Sequence, residues 1–365
     1  MNVVFRTDAS LDIGNGHVMR CLTLADNLSK NNSICHFICK DLDSNLIEII
    51  KNKGYLVFPI KPDPIPINIK EPIEMYENWL GSSQSNDAYN SISYIKDIQP
   101  DWVIIDNYAI DTSWEKLVGP HCKNMLVIDD LANRNHVCDI LVDQTFRQTK
   151  DHYAGKVNDK CLVLCGSKYS LLRPEFREWR LKTKNKSLNK NFLNILVNLG
   201  GIDKGNVTSK VIDALNEVKL PLNIKITIIM GPYAPHINLI KKKLKLLKHE
   251  VELQIGITNM AEVMSINDIC IGAAGSTSWE RCCLGLPSIT LVIAENQKII
   301  SKNLEDSGIT ISLNINDIQS SLESAIIKLI NNWDLYRQSS LDIVDGLGAE
   351  RVIKAMYSNM KATYT

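Results

Sequence analysis

The chain has 365 residues, 45% hydrophobic and 22% charged, enough for two domains with cores of their own. Lysine plus arginine equals aspartate plus glutamate at 41 each, so no charge excess favours nucleic acid or an anionic membrane surface as a partner. The 10 cysteines include no CxxC pair and no matching histidine spacing, which argues against a zinc site, and no apolar run reaches membrane-spanning length.

The opening Met1-Asn2-Val3-Val4-Phe5 passes directly into Arg6-Thr7-Asp8 with no secretory leader pattern, and a reduced, cytoplasmic protein is expected. Short apolar runs bounded by turn residues predict strands over 3–5, 34–39, 55–58, 102–106, 125–129, 139–142 and 161–165. A second series follows over 193–199, 224–230, 251–255, 269–271 and 289–293. Most are rich in Val and Ile without polar alternation, as in parallel strands covered on both faces. Helical periodicity lies between many of them: Val18, Cys21, Leu22, Ala25 and Leu28 mark one helix face. The expected class is therefore α/β, with two Rossmann-like domains facing a central cleft. The polar, Lys- and Asn-rich stretch 182–191 sets the boundary, giving an N-terminal domain over 1–185 and a C-terminal domain over 186–365 with a helical tail. Residues 61–72 hold Pro62, Pro64, Pro66 and Pro72 and read as a surface excursion. Lys241, Lys242, Lys243 and Lys245, with leucines at helical spacing, read as a solvated helix face.

The first strand ends in Asp12-Ile13-Gly14-Asn15-Gly16-His17 at a helix start. Gly14 and Gly16 permit close backbone approach to a ligand, and helix-start amides face anions well. An imidazole there suits proton abstraction near neutral pH, so His17 is the candidate general base. Taken alone, this loop reads more readily as a helix cap with a structural histidine, and it is not the dinucleotide GxGxxG pattern. Gly200 and Gly201 end another strand. Gly275, Ser276 and Thr277 form a small-residue strand–helix loop suited to a diphosphate, and Glu280 lies one turn further on, placed for ribose hydroxyls. Asn296 and Gln297 follow the next strand and offer neutral groups to a sugar. Small residues at 272–275 serve tight helix–sheet packing equally well. Several glycine-rich strand ends, each followed by a helix, shift the balance toward ligand binding.

These segments together carry a family likeness. Arg6-Thr7-Asp8-Ala9-Ser10, Gly14-Asn15-Gly16-His17-Val18-Met19-Arg20, Ile128-Asp129-Asp130-Leu131-Ala132, Tyr169-Ser170-Leu171-Leu172-Arg173-Pro174, Gly200-Gly201-Ile202-Asp203 and Gly275-Ser276-Thr277-Ser278-Trp279-Glu280-Arg281-Cys282-Cys283 occur in order through nearly the whole chain. The pattern resembles the UDP-2,4-diacetamido-2,4,6-trideoxy-β-L-altropyranose hydrolases of pseudaminic acid biosynthesis. The resemblance implies a GT-B fold and hydrolysis of a UDP-sugar, with water attacking the anomeric carbon and inversion of configuration. It places the catalytic base on His17, a substrate-contacting asparagine on Asn296 and a ribose-binding carboxylate on Glu280. No cofactor and no metal are expected, and a UDP-sugar is the expected partner rather than nucleic acid or membrane. A monomer is compatible with it, and no fused acetyltransferase domain is expected.

His136 reads as structural, and His36 as a satisfied core residue. Asp106, Asp129 and Asp130 end strands and read as hydrogen-bonding or His17-orienting groups in preference to metal ligands. Asp8 and Asp12 are further candidates to steer His17. Tyr108 and the tryptophans read as packing or cleft walls. Rival functions are a UDP-sugar-dependent glycosyltransferase, a hydrolysing 2-epimerase and a non-enzymatic sugar-nucleotide sensor.

Overall fold

The computed structural model describes residues 1–63, 76–189 and 191–363. Most of the proline-rich stretch, from residue 64 to 72, thus lies outside the described residues, as does Lys190 of the expected linker. The chain forms two compact units, Met1–Leu171 with Leu347–Thr365, and Leu172–Gly346.

The first unit is built on β1 (Asn2–Thr7), β2 (Ile34–Lys40), β3 (Leu56–Ile60), β4 (Trp102–Asp106), β5 (Asn124–Ile128), β6 (Ile140–Asp143) and β7 (Leu162–Cys165). They form one parallel sheet in the order β3-β2-β1-β4-β5-β6-β7. Its uniform apolar strands have a direct cause: both faces are covered. Val3, Phe5 and Ile104 enter a core on one face, while Val4, Val103 and Ile105 enter a core on the other. Each such side chain contributes roughly 1.5–3 kcal/mol by leaving water. The helix Gly16–Lys30 supplies Val18, Leu22 and Ala25 to the first of these cores.

The second unit repeats the topology with β8 (Phe192–Asn198), β9 (Asn223–Met230), β10 (Glu250–Ile255), β11 (Ile269–Ala273), β12 (Ser288–Leu291) and β13 (Thr310–Leu313). The order is β10-β9-β8-β11-β12-β13, again parallel. Every strand expected from the sequence is present. The edge strand β13 was not expected: its four residues are buried at one end and half-buried at the other, so no long apolar run marks it.

The division of the chain differs from the expected one at 185/186. The helix Pro174–Lys182 belongs to the second unit, where Arg180 donates to the carbonyls of Cys283, Val344 and Leu341. The last helix, Gly348–Thr363, belongs to the first unit, burying Val352, Ile353 and Met356 beside Val18 and Leu22. The lysine-rich helix Ile237–Leu244 buries only Ile240, as its solvated reading requires. No helix among the described residues is long and apolar enough to cross a membrane.

In each sheet the strand order reverses once, between β1 and β4 and between β8 and β11. Loops leaving the carboxyl ends of such strand pairs diverge and leave a crevice, which is where open α/β sheets bind ligands.

Candidate functional site

His17 lies at the first unit's reversal point. The loop after β1 makes a tight turn in which the Gly14 amide donates to the Ser10 carbonyl at 2.8 Å, and Gly14 adopts φ +78°. An added Cβ at Gly14 would touch nothing, so glycine is needed for its left-handed backbone and not for space. Gly16 begins the helix that carries His17. Asn15 provides no side-chain cap, and no acidic residue occupies the first turn.

His17 Nδ1 stands 2.6 Å from Oδ1 of Asp106, the last residue of β4. Asp106 is fully buried, yet burial does not neutralise it. Burial pushes its carboxyl up, but the Arg20 guanidinium and His17 outweigh this and hold it well below the carboxylate range. Arg20, one turn after His17, binds both oxygens of Asp106 at 2.6 and 2.7 Å and also pairs with Asp130. An ionised carboxylate only accepts hydrogen bonds, so Nδ1 is the donor and neutral His17 carries its lone pair on Nε2. No hydrogen-bond partner for Nε2 occurs among the described residues. A base oriented from behind with its acting nitrogen open is the arrangement general-base chemistry needs.

Tyr108 packs edge-on against the imidazole at 4.6 Å between ring centres and donates its hydroxyl to Asp130 at 3.0 Å. Asp8 is not an orienter of His17. It accepts from Arg6 at 2.6 Å, from the Lys40 amide at 2.6 Å and from Asn107 at 2.7 Å. Arg6 in turn binds Asp87, which also receives Lys40 and Trp114. This buried network fixes the end of β1. Breaking one partner of such a pair typically costs about 3–5 kcal/mol. Asp12 is exposed on the turn. Asp129 is held by Arg134 and Tyr153. His136 is structural, its Nδ1 pairing with Glu115 at 2.6 Å. His36 differs from its expected state: it is half-buried, and its Nδ1 has no hydrogen-bond partner among the described residues. Among the described residues, no group of three or more His, Cys, Asp or Glu side chains is arranged to hold a metal ion.

The second unit's glycine loops differ from one another. Gly200, at φ +89°, and Gly201 follow β8. Gly201 is pressed against a neighbouring turn, since a Cβ on Gly231 would fall 2.1 Å from its carbonyl oxygen. The helix Val207–Glu217 that follows is already capped: Asp203 accepts from the amides of Val207 and Thr208 at 2.8 and 2.9 Å. That carboxylate occupies the amides an anionic ligand would use.

The loop after β11 has no such occupant. Ser276 stands exposed at the start of the helix Thr277–Leu284, with no side-chain cap. Gly275 lies against Gln297, whose Nε2 would be 3.5 Å from a Cβ there, and Gln297 accepts from the Ile293 amide at 3.0 Å. Asn296 sits half-buried beside it in the short turn Glu295–Gln297. The structure thus brings Gly275, Ser276, Thr277, Asn296 and Gln297 into one neighbourhood. Glu280, with 18% of its side chain exposed, is pushed up to about 7 by burial, against the pull of Arg173 and Arg281.

Arg281 escaped the sequence reading. Its buried guanidinium donates to the Ala273 carbonyl, to Thr277 Oγ1 and to Ser278 Oγ, while its Nε has no partner among the described residues. It explains Gly272, where a Cβ would come within 2.6 Å of the guanidinium. A positive group under an uncapped helix start favours an anion above it. Spacing held a signal: Arg281 follows Thr277 by one turn, as Arg20 follows His17.

Known proteins fit this layout. Acinetobacter baumannii MurG superposes with a TM-score of 0.70 at 15% identity, covering 98% of this chain and 99% of that one. The fold is GT-B. Residues 184–343 match the model of the Glycosyltransferase family 28 C-terminal domain. Protein MJ1062 of Methanocaldococcus jannaschii is 30% identical over 304 residues, 82% of this chain but 57% of that protein, so this chain spans little more than half of it. The UDP-2,4-diacetamido-2,4,6-trideoxy-beta-L-altropyranose hydrolase of Campylobacter jejuni is 27% identical over 308 residues, covering 84% of this chain and 97% of that enzyme.

Proposed function

We propose that this GT-B protein hydrolyses a UDP-linked diacetamido-trideoxy sugar, releasing UDP and the free sugar. The His17–Asp106 pair is the observation that carries the reading. Nε2 of His17 takes a proton from water as the water oxygen attacks the anomeric carbon, and Asp106 stabilises the imidazolium that forms. The C–O bond to UDP breaks, the nucleotide leaves with its negative charge, and direct displacement inverts the anomeric configuration. Retention of the nucleotide falls to Gly275, Ser276, Thr277 and Glu280, with Arg281 beneath the loop. Asn296 and Gln297 supply neutral hydrogen-bonding groups for the acetamido sugar. The likeness to the Campylobacter jejuni hydrolase supports both the substrate class and the reaction.

A second reading, transfer of the sugar to an acceptor, draws support from the glycosyltransferase domain match over residues 184–343. Incubation with UDP-2,4-diacetamido-2,4,6-trideoxy-β-L-altropyranose in heavy-oxygen water separates the two. Hydrolysis at carbon places one heavy oxygen on the free sugar, with complete turnover and no acceptor. Label on the UDP phosphate means attack at phosphorus, and turnover that needs an added acceptor means transfer. Solvent deuterium at C2 would point instead to an elimination route through an epimerase-like intermediate.

A further inference from the structure

We propose that Trp79 and Tyr76 form an aromatic wall that reads an apolar substituent of the sugar, a ring methyl or an acetamido methyl, beside the base. The proposal rests on the sugar-nucleotide reading given above and adds the residues that would select the sugar.

Three aromatic rings cluster beside the imidazole that carries the open nitrogen. Trp79 lies on the short turn Glu77–Leu80, with Leu80 behind it buried in the core. The Trp79 ring stacks on Tyr108 at 5.6 Å and 23°, and meets His17 edge-on at 5.8 Å. Tyr76 closes the group, edge-on to Trp79 at 4.7 Å and to Tyr108 at 5.2 Å. Tyr108 is 4% exposed and its hydroxyl is committed to Asp130, so it forms the backing of the group. Trp79 and Tyr76 are half-buried, in contrast to the buried Tyr108.

The chemistry of such a surface is specific. An aromatic face is negative and apolar, and it attracts methyl groups. It offers little to a face of hydroxyls, which must give up water without replacement hydrogen bonds. An aromatic wall beside the base therefore favours a sugar carrying methyl groups near its anomeric carbon over one presenting hydroxyls. The imidazole and the wall then act on one ring: His17 on the attacking water, Trp79 and Tyr76 on the orientation of the carbon under attack.

Calorimetric titration of wild type, Trp79→Ala and Trp79→Phe with UDP, UDP-glucose and the UDP-diacetamido-trideoxy sugar tests this. In Trp79→Ala, affinity for the diacetamido sugar should fall about tenfold, the scale set by one methyl group in an apolar pocket. UDP and UDP-glucose should bind as in wild type, and Trp79→Phe should recover most of the loss. Unchanged melting temperatures show that the variants are folded, and retained UDP affinity confirms it. Equal loss for all three ligands, or no loss for the diacetamido sugar, overturns the wall while leaving the sugar-nucleotide reading intact. Wild-type protein that binds none of the three overturns that reading and the wall with it.

Discussion

The two sheet-reversal points share a topology and differ in everything placed on it. At the β1/β4 point the loop is backed by buried, paired carboxylates: Asp106 between His17 and Arg20, and Asp8 within the Arg6–Asp87–Lys40 network. At the β8/β11 point the loop after β11 is made of small residues over one buried guanidinium, and its helix start is uncapped. The first arrangement fixes a single nitrogen in one tautomer. The second sets an exposed Ser276 at an uncapped helix start beside a positive group. The contrast teaches that parallel sheets supply a location, and that the residues set on it decide which chemistry that location suits.

The largest expected effect lies on the first side. His17→Ala should reduce turnover by roughly 10²–10⁴-fold while UDP affinity, measured by titration, stays near that of wild type. Asp106→Asn should fall in the same range, because an amide no longer enforces the Nδ1-H tautomer. Combined with His17→Ala it should cost little more in turnover, and additive losses would separate the two residues' roles. On the second side, Gly272→Ala should destabilise the protein by about 1–3 kcal/mol in urea unfolding, by forcing a methyl group against Arg281. An unaffected midpoint would mean the guanidinium moves freely.

Smaller effects sharpen the comparison through pH. Glu280 titrates near 7 and accepts hydrogen bonds best when ionised. UDP affinity should therefore rise severalfold between about pH 6 and pH 8, and Glu280→Gln should flatten that profile. A flat wild-type profile would remove Glu280 from nucleotide binding. The smallest effect concerns Asp143, whose carboxyl is pushed up to about 8 by burial and then by Asp130 and Asp129. It holds a proton in the folded protein that it has lost in the unfolded chain over the window from the ordinary carboxyl range to about pH 8. Its contribution to stability therefore declines as pH rises through that window. Asp143→Asn should weaken the decline, which melting temperatures at several pH values will register.

Much of the fold was legible because parallel strands buried on both faces leave unbroken Val- and Ile-rich runs, as at Ile104 and Ile226. β13 left no such run. His17 and the loop at Gly275 stood out because glycine and histidine at helix starts are uncommon and chemically meaningful. The pairing of His17 with Asp106 spans 89 residues and exists only because β1 and β4 are neighbours, a fact no local pattern contains. Likewise, nothing near Gly200 announces that Asp203 would fold back onto the next helix's amides. The division of the chain was misplaced for a related reason. A linker's composition is local, whereas the docking of the last helix depends on which distant core its apolar face meets.

That last helix gives the molecule a particular order of assembly. Val352, Ile353 and Met356 complete the layer over Val18 and Leu22, yet a ribosome delivers them after all of Leu172–Gly346. During synthesis the later-made unit has its whole sequence first, while the earlier-made one waits with a greasy seam uncovered. Nascent chains stalled shortly before Gly348 should therefore present that seam to chaperones, and their histidine loop should become protected from proteases only when the final turns emerge.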